Sequence, residues 1–308
     1  MHTPQTHLSI PMIQPEDFAD VFQPRDPSGH KGTHGSAAIY GGATGMTGAA
    51  ILAARSALKS GSGRIYVCLA HDSNDAHNLQ IDWAQPELMI RRLHDILGTK
   101  TPIQAWGIGC GLGHCPEVLI TLRTLLSEIS DQPKVLDADA LNALARQDID
   151  AHWDAQTTIL TPHPGEAAYL LGCTVNDIQT DRLRSAQTIA SKYQAWTVLK
   201  GQQTVVATPD GDCFINPTGH VALGTAGTGD VLTGFMTSLL AQGHTVQTAV
   251  FAAVWIHGAA GQWLAKHHGG PIGITASEVV EAIRYLLNHS EQLDEFNPVR
   301  KSQGLGFV

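Results

Sequence analysis

The sequence predicts an α/β fold, with a central, mainly parallel β-sheet flanked by helices on both faces. Short apolar runs alternate with helix-spaced segments over about 200 residues, the pattern of strands covered by crossover helices. Glycine is abundant, at 31 of 308 residues. Small or ionisable residues also stand wherever a strand should end, and parallel sheets gather ligands beyond the carboxyl ends of their strands.

Each element follows from local chemistry. Ser36 to Tyr40 is short and apolar and runs into Gly41-Gly42, a buried strand ending in a tight turn. Met46 to Ser60 carries Ala, Leu and Ile at helical spacing and stops at Gly61 and Gly63. Arg64 to Leu69 then reads as a strand. The alternation repeats: Ala105 to Gly109 strand, Pro116 to Ser130 helix, Lys134 to Asp137 strand, Ala140 to Arg146 helix. Thr158 to Thr161 is a strand, Glu166 to Leu171 and Asp181 to Tyr193 are helices, and Trp196 to Lys200 is a strand. Two short strands, Thr204 to Thr208 and Cys213 to Asn216, flank Pro209-Asp210-Gly211 and predict a hairpin. Beyond Asp230 the pattern is helical, over Val231 to Gln242, Thr245 to Lys266 and Ala276 to Asn288. No linker or internal repeat interrupts the run, so residues 1–308 read as one domain, loose at about 1–20 and 290–308.

Bulk properties narrow the partners. Charged residues are 15% of the chain, below the roughly 25% usual in soluble proteins. The net charge is −9 and no Lys/Arg cluster exceeds two residues, which argues against nucleic acid or an anionic membrane as main partner. No apolar run is long enough to span a bilayer, and the polar N-terminus has no signal pattern. Five scattered cysteines read as reduced thiols of a cytoplasmic protein.

The most informative segment is Gly224-Thr225-Ala226-Gly227-Thr228-Gly229-Asp230, directly ahead of an apolar helix. Its small residues let successive backbone N–H groups turn toward one point, and a helix starting after Asp230 adds free amides and the positive end of its dipole. Such a turn attracts a phosphate. A carboxylate beside a phosphate is electrostatically costly unless it works, for example by taking a proton from an attacking hydroxyl. Capping of the helix by Asp230 is the plainer alternative, but capping alone does not require Gly227 and Gly229 as well.

Other strand ends offer further groups, each with a plainer alternative. In Thr161-Pro162-His163-Pro164-Gly165-Glu166 the two prolines hold His163 and Glu166 in place. Glu166 could hold a hydrated magnesium ion while His163 touches substrate, or both could simply start a helix. Lys200-Gly201-Gln202-Gln203-Thr204 could meet a nucleotide phosphate, or be a solvated turn. Asp137 and Asp139 could orient magnesium-bound water, or Asp139 could cap a helix. Lys31 to Gly35, with the glycines from Gly41 to Gly48, could receive another phosphate group or serve close packing. The run Gly107 to Gly113 is spaced G-x-G-x-G and lacks the distant acidic residue of a dinucleotide fingerprint, so it is discounted as a redox motif. P-loop and nucleophile-elbow motifs are absent.

In their order along the chain, KGTHG, GGATGMTGAA, GIGCGLG, DADALN, TPHPGE, KGQQT and GTAGTGDVLTG resemble the NAD(P)H-hydrate dehydratase family of the ribokinase-like superfamily, over roughly residues 25–285. HPGE looks like the bacterial, ADP-dependent branch. The resemblance implies a stand-alone dehydratase without an epimerase domain, converting the S-epimer of NADHX or NADPHX back to NADH or NADPH and turning ADP into AMP and phosphate. It implies Asp230 as catalytic base and Ala50, Gly111, His163 and Asp230 as substrate contacts. Lys200, Gly201, Gln202, Gln203, Thr204 and Gly229 match nucleotide-contacting positions, with Gly227 and Thr228 in the amide cradle. Glu166 matches the carboxylate associated with Mg²⁺ through water. Assembly as a homo-oligomer, a tetramer by resemblance, and a functional pairing with a separate epimerase are implied as well. A small-molecule kinase of the same fold, or a nucleotide-binding regulator without turnover, would carry the same loop.

Overall fold

The alternating runs fold into one nine-stranded sheet, in a structure (a computed structural model) that describes residues 10–70, 80–97, 102–150 and 152–298. In chain order, β1 (Ser36–Gly41), α1 (Thr47–Lys59), β2 (Arg64–Leu69), β3 (Met89–Ile90) and α2 (Leu93–Leu97) come first. Next are β4 (Ala105–Ile108), α3 (Pro116–Glu128), β5 (Lys134–Leu136), α4 (Ala138–Ala145) and β6 (Thr158–Leu160). Then α5 (Pro164–Leu171), α6 (Val175–Thr180), α7 (Arg182–Tyr193), β7 (Trp196–Leu199), β8 (Val205–Ala207) and β9 (Cys213–Ile215). Three helices close the series: α8 (Thr228–Ala241), α9 (Val246–His267) and α10 (Ala276–Asn288).

The sheet order is β3-β2-β1-β4-β5-β6-β7-β8-β9. Strands from β3 to β7 pair in parallel, while β7, β8 and β9 form an antiparallel meander, the predicted hairpin among them. Side-chain alternation divides two cores. Along β1, Ala37 and Ile39 face α1, α8, α9 and α10, while Ala38 and Tyr40 face α3, α4, α5 and α7. The chain leaves β1 by α1 toward one sheet edge and leaves β4 by α3 toward the other. That reversal opens a crevice at the carboxyl ends of β1 and β4, where ligands collect in open α/β sheets. Here the two loops are tied together: the Gly42 and Ala43 amides donate to the carbonyls of Cys110 and Gly111 at 2.8 and 2.7 Å.

Three sequence expectations change. The ends are not loose where described: Met12 bridges Ile215, Ile13 and Phe18 are buried, and 3₁₀ turns form over Pro15–Phe22 and Ser290–Phe296. Few apolar side chains occur in these stretches, but Ile13, Phe18, Leu293 and Phe296 all reach the core, which is enough to hold them. Residues 1–9 and 299–308 lie outside the described residues. The helix expected from Asp181 is preceded by α6, whose start is a capping box between Thr174 and Asp177. Third, α8 begins at Thr228, ahead of Asp230. Among the described residues, no helix is long and apolar enough to cross a membrane.

Candidate active site

The glycine-rich loop makes its turn at Gly227, the residue before α8, with φ of +92°. A Cβ there would lie 2.6 Å from Leu52 Cδ1 and 3.0 Å from Ala276 Cβ, so both conformation and space require glycine. The Thr228 hydroxyl donates to the Leu223 and Thr225 carbonyls at 2.7 and 3.0 Å, folding the loop back on itself. No side chain caps α8. Capping is therefore not what Asp230 does: it is the third residue of the helix, within the first turn, and no side chain caps the turn's amides. Beneath the loop, His257 is wholly enclosed. Burial lowers its pKa to about 4, so the ring is neutral and Nε2–H donates to the Thr228 carbonyl at 3.0 Å.

Asp230 faces a cluster assembled from four strand ends. Burial, with Asp137 nearby, raises its pKa to about 6, although the Cys110 thiol and Lys200 pull the other way. Cys110 Sγ and carboxylate oxygens of Asp137 and Asp230 all lie within 4.8 Å of one another. Burial and the two acids push the Cys110 thiol well above its ordinary range, so it keeps its proton. The cation in the cluster is Lys200, whose Nζ lies 2.7 Å from Asp137 Oδ1 and 3.9 Å from Glu166 Oε2. Asp137 Oδ2 accepts from the Thr233 hydroxyl at 2.8 Å. A Cβ on Gly229 would stand 3.5 Å from the Lys200 ammonium. Backbone amide, ammonium and base thus converge on one small volume.

Glycines and one strained residue set this spacing. Gly109 has φ of +118°, and a Cβ there would lie 1.9 Å from the Asp137 carbonyl oxygen. Ala138, between the two acids, holds φ of 47°, a left-handed conformation unusual for alanine. Asp139 turns aside and accepts from the Gly113 amide at 2.8 Å.

His163 and Glu166 realise the helix-start alternative. His163 Nδ1 accepts from the Gly165 and Glu166 amides, and the His163 amide donates to Glu166 Oε2 at 2.8 Å. The same pair still borders the cluster, since burial raises the Glu166 pKa to about 7 against the pull of Lys200. Burial and Lys200 lower that of His163. The turn Lys200 to Thr204 is built for close approach. Arg182 Nη2 donates to the Leu199 and Lys200 carbonyls at 3.0 and 3.3 Å, and Gly201, at φ of +141°, lies against the guanidinium. Gln202 and Gln203 line a cavity of about 240 Å³ beside it. A larger cavity, of about 740 Å³ between α9 and α10, is lined by none of the rim residues.

Two predicted positions stand back from this cluster. Ala50 is fully buried, with its Cβ where a side chain on Gly42 would go. Lys31 to Gly35 precedes β1 and packs against Gly63, at the far end of the strands from the rim. Gly111, at φ of +58°, packs on Met46 in the crevice. Sequence reasoning passed over Thr233, Arg182 and His257, and met Cys110 only as a near pair with Cys115 that lacks metal-ligand spacing. Only Thr233 left a signal, a hydroxyl one helical turn beyond Asp230.

A mainly parallel sheet of this order, with a glycine-rich helix start and an acid at the carboxyl ends of its strands, defines an α/β fold shared with known enzymes. A ribokinase-like superfamily protein of Enterococcus faecalis shares the fold, with a TM-score of 0.79 over 94% of this chain and 99% of that one at 23% identity. The family model for NAD(P)H-hydrate dehydratase matches residues 37–284, and the chain belongs to that family. It is 41% identical to the ADP-dependent (S)-NAD(P)H-hydrate dehydratase of Neisseria meningitidis serogroup B, over 88% of this chain and 91% of that one. The crystal structure of a Bacillus subtilis ADP/ATP-dependent NAD(P)H-hydrate dehydratase co-crystallised with ATP/Mg²⁺ superposes with a TM-score of 0.79 at 32% identity, covering 92% and 99% of the two chains. Of the bifunctional NAD(P)H-hydrate repair enzyme of Escherichia coli, at 35% identity, the chain spans about half, 52%.

Proposed function

We propose that this chain is an ADP-dependent hydro-lyase that returns the S-epimer of NADHX and NADPHX to NADH and NADPH. The observation that carries the mechanism is the convergence of Asp230, the Gly229 backbone and the Lys200 ammonium. Asp230 takes the proton of the substrate's ring hydroxyl as that oxygen bonds to the β-phosphorus of ADP. The bond from phosphorus to the AMP oxygen breaks, and AMP leaves. Phosphate is a far better leaving group than hydroxide: it departs with the C–O electron pair while solvent takes a proton from the adjacent ring carbon, which restores the ring double bond. Amides at Gly227 and Gly229 and the Lys200 ammonium stabilise charge on the transferring group, while the Thr228 amide donates to the Thr225 carbonyl at 3.4 Å and holds the loop.

The substrate ring lies against Gly111, His163 and Asp230, with buried Ala50 fixing the depth of the crevice behind Gly42. The nucleotide lies along Lys200, Gly201, Gln202, Gln203 and Thr204. At this rim Asp137, Glu166 and Asp230 share one ammonium, Lys200. Adding phosphates to that surplus of acid calls for a further cation, and oxygen donors suit Mg²⁺. Glu166 would hold it through water, since Oε2 already accepts from the His163 amide at 2.8 Å and Oε1 lies 3.2 Å from His163 Nε2. When bound, the ion neutralises phosphate charge.

Purified protein mixed with chemically hydrated NADH, ADP and Mg²⁺ should restore the reduced-nicotinamide absorbance and form AMP in equal amount. Accumulation of a stable phosphorylated product would make it a kinase instead. Five free cysteines fit a cytoplasmic setting, bifunctional relatives about twice its length fit work beside an epimerase, and the homotetramer rests on the resemblance alone. Sedimentation checks the assembly, and co-purification checks the pairing.

A further inference from the structure

We propose that Asp137 is a positioning residue, the tether that delivers the Lys200 ammonium to the nucleotide phosphates; this deepens the reading above and rests on it for the identity of the ligand. The geometry offers Lys200 two carboxylates. Asp137 holds Nζ at 2.7 Å, while Glu166 stands off at 3.9 Å. The nearer acid decides where the ammonium rests, and it rests against Gly229 in the first turn of α8. Asp137 is itself fixed on its other oxygen by the Thr233 hydroxyl at 2.8 Å, and it is almost wholly buried. Thr233 belongs to the helix whose amino end forms the cradle, so tether and cradle are one rigid unit. Without Asp137, the lysine swings toward Glu166 and leaves the phosphate site.

Asp137 also carries a negative charge beside the bound phosphates, and this makes the sign of a substitution decisive. If Asp137 were only a nearby charge, Asp137→Asn would remove a repulsion and tighten nucleotide binding. As a tether, its loss misplaces the Lys200 ammonium and weakens binding. The test is a double-mutant cycle on the affinity of the full chain for ADP with Mg²⁺, measured by calorimetry, with Asp137→Asn, Lys200→Ala and both together. Asp137→Asn alone should weaken ADP by about tenfold, as loss of a charge-assisted contact does. In the Lys200→Ala background the same change should leave ADP binding unaltered or tighter. Thr233→Val keeps every charge and frees one oxygen of Asp137. It should weaken ADP by about two- to threefold and should likewise have no effect without Lys200, the pattern of residues acting through a shared partner. Unaltered or tighter binding in Asp137→Asn with Lys200 present, or an equal loss without Lys200, overturns the tether. Turnover plays no part in this cycle, so a chain that obeys it and fails to restore NADH overturns the dehydratase reading alone.

Discussion

Two lysines drawn in from solvent, Lys134 fully buried and Lys200 partly so, stand at opposite ends of the strand layer and meet opposite fates. Lys134 opens β5 at the amino end of the strands, and Lys200 follows β7 at the carboxyl end. Lys134 finds only neutral acceptors, the Ser130 carbonyl at 3.0 Å and the Thr158 hydroxyl at 3.2 Å. Burial brings its pKa down to about 8, with Asp154 and Asp131 giving partial relief. Lys200 keeps 19% of its side chain exposed, and its pKa rises, because Asp137 and Glu166 outweigh its partial burial. Low dielectric surroundings penalise a lone charge and strengthen a paired one. Burial alone therefore says little about role, and the acids around a buried cation say much more.

The contrast can be broken or sharpened by substitution. The largest effect belongs to the base that Lys200 serves: Asp230→Asn should cut turnover by about a hundredfold or more. ADP affinity in that variant should hold or rise, since a negative charge beside the phosphates has gone; calorimetry and steady-state rates read the two together. Lys200→Ala should cost turnover by about 10²-fold, the scale of losing one electrostatic donor. Lys134→Met at the other end should leave turnover intact, and equal losses from both would erase the distinction.

A smaller effect separates two glycines. Gly227→Ala forces a side chain into a left-handed turn against Leu52 and Ala276, so it should lower unfolding free energy by about 1–3 kcal/mol along with activity. Gly229→Ala meets only ordinary contacts, so thermal melts should stay close to the unaltered chain while ADP affinity falls. Acid should silence the site by protonating Asp230. Its pKa of about 6 means turnover falls tenfold per pH unit below that point and is insensitive to this group above it. The mildest prediction concerns Lys134. Its folded pKa, about 8, lies below the ordinary 10.5, so the unfolded chain binds more protons between those values and stability rises with pH across that window. Lys134→Met should abolish this rise and add about 1 kcal/mol at neutral pH, since a lone buried charge has been removed. Denaturant melts across the pH range check both.

Much of the architecture was legible because periodicity and glycine stops are local. The strands from β1 to β9 stand close to their expected bounds, apart from the two-residue β3, which is too short to carry a pattern. The rim could be read because parallel strands send their carboxyl ends to one side, so Gly111, Asp137, His163 and Lys200 had to be neighbours. Pairings within the rim could not be read. Nothing local states that Lys200 prefers Asp137 to Glu166, or that Cys110 faces Asp230, since those contacts join residues far apart in sequence. The start of α8 was misplaced for a related reason: Asp looks like a cap in any sequence, while Gly227 reverses the chain three residues earlier.

The left-handed backbone at Ala138 has a consequence for how this site tolerates change. Glycine would fit that dihedral with less strain, yet it would also free the peptide to pivot. Alanine locks a single splay between Asp137, which reaches into the cleft, and Asp139, which braces the opposite loop. The chain accepts about 1 kcal/mol of discomfort there in return for a stiff ruler between two acids.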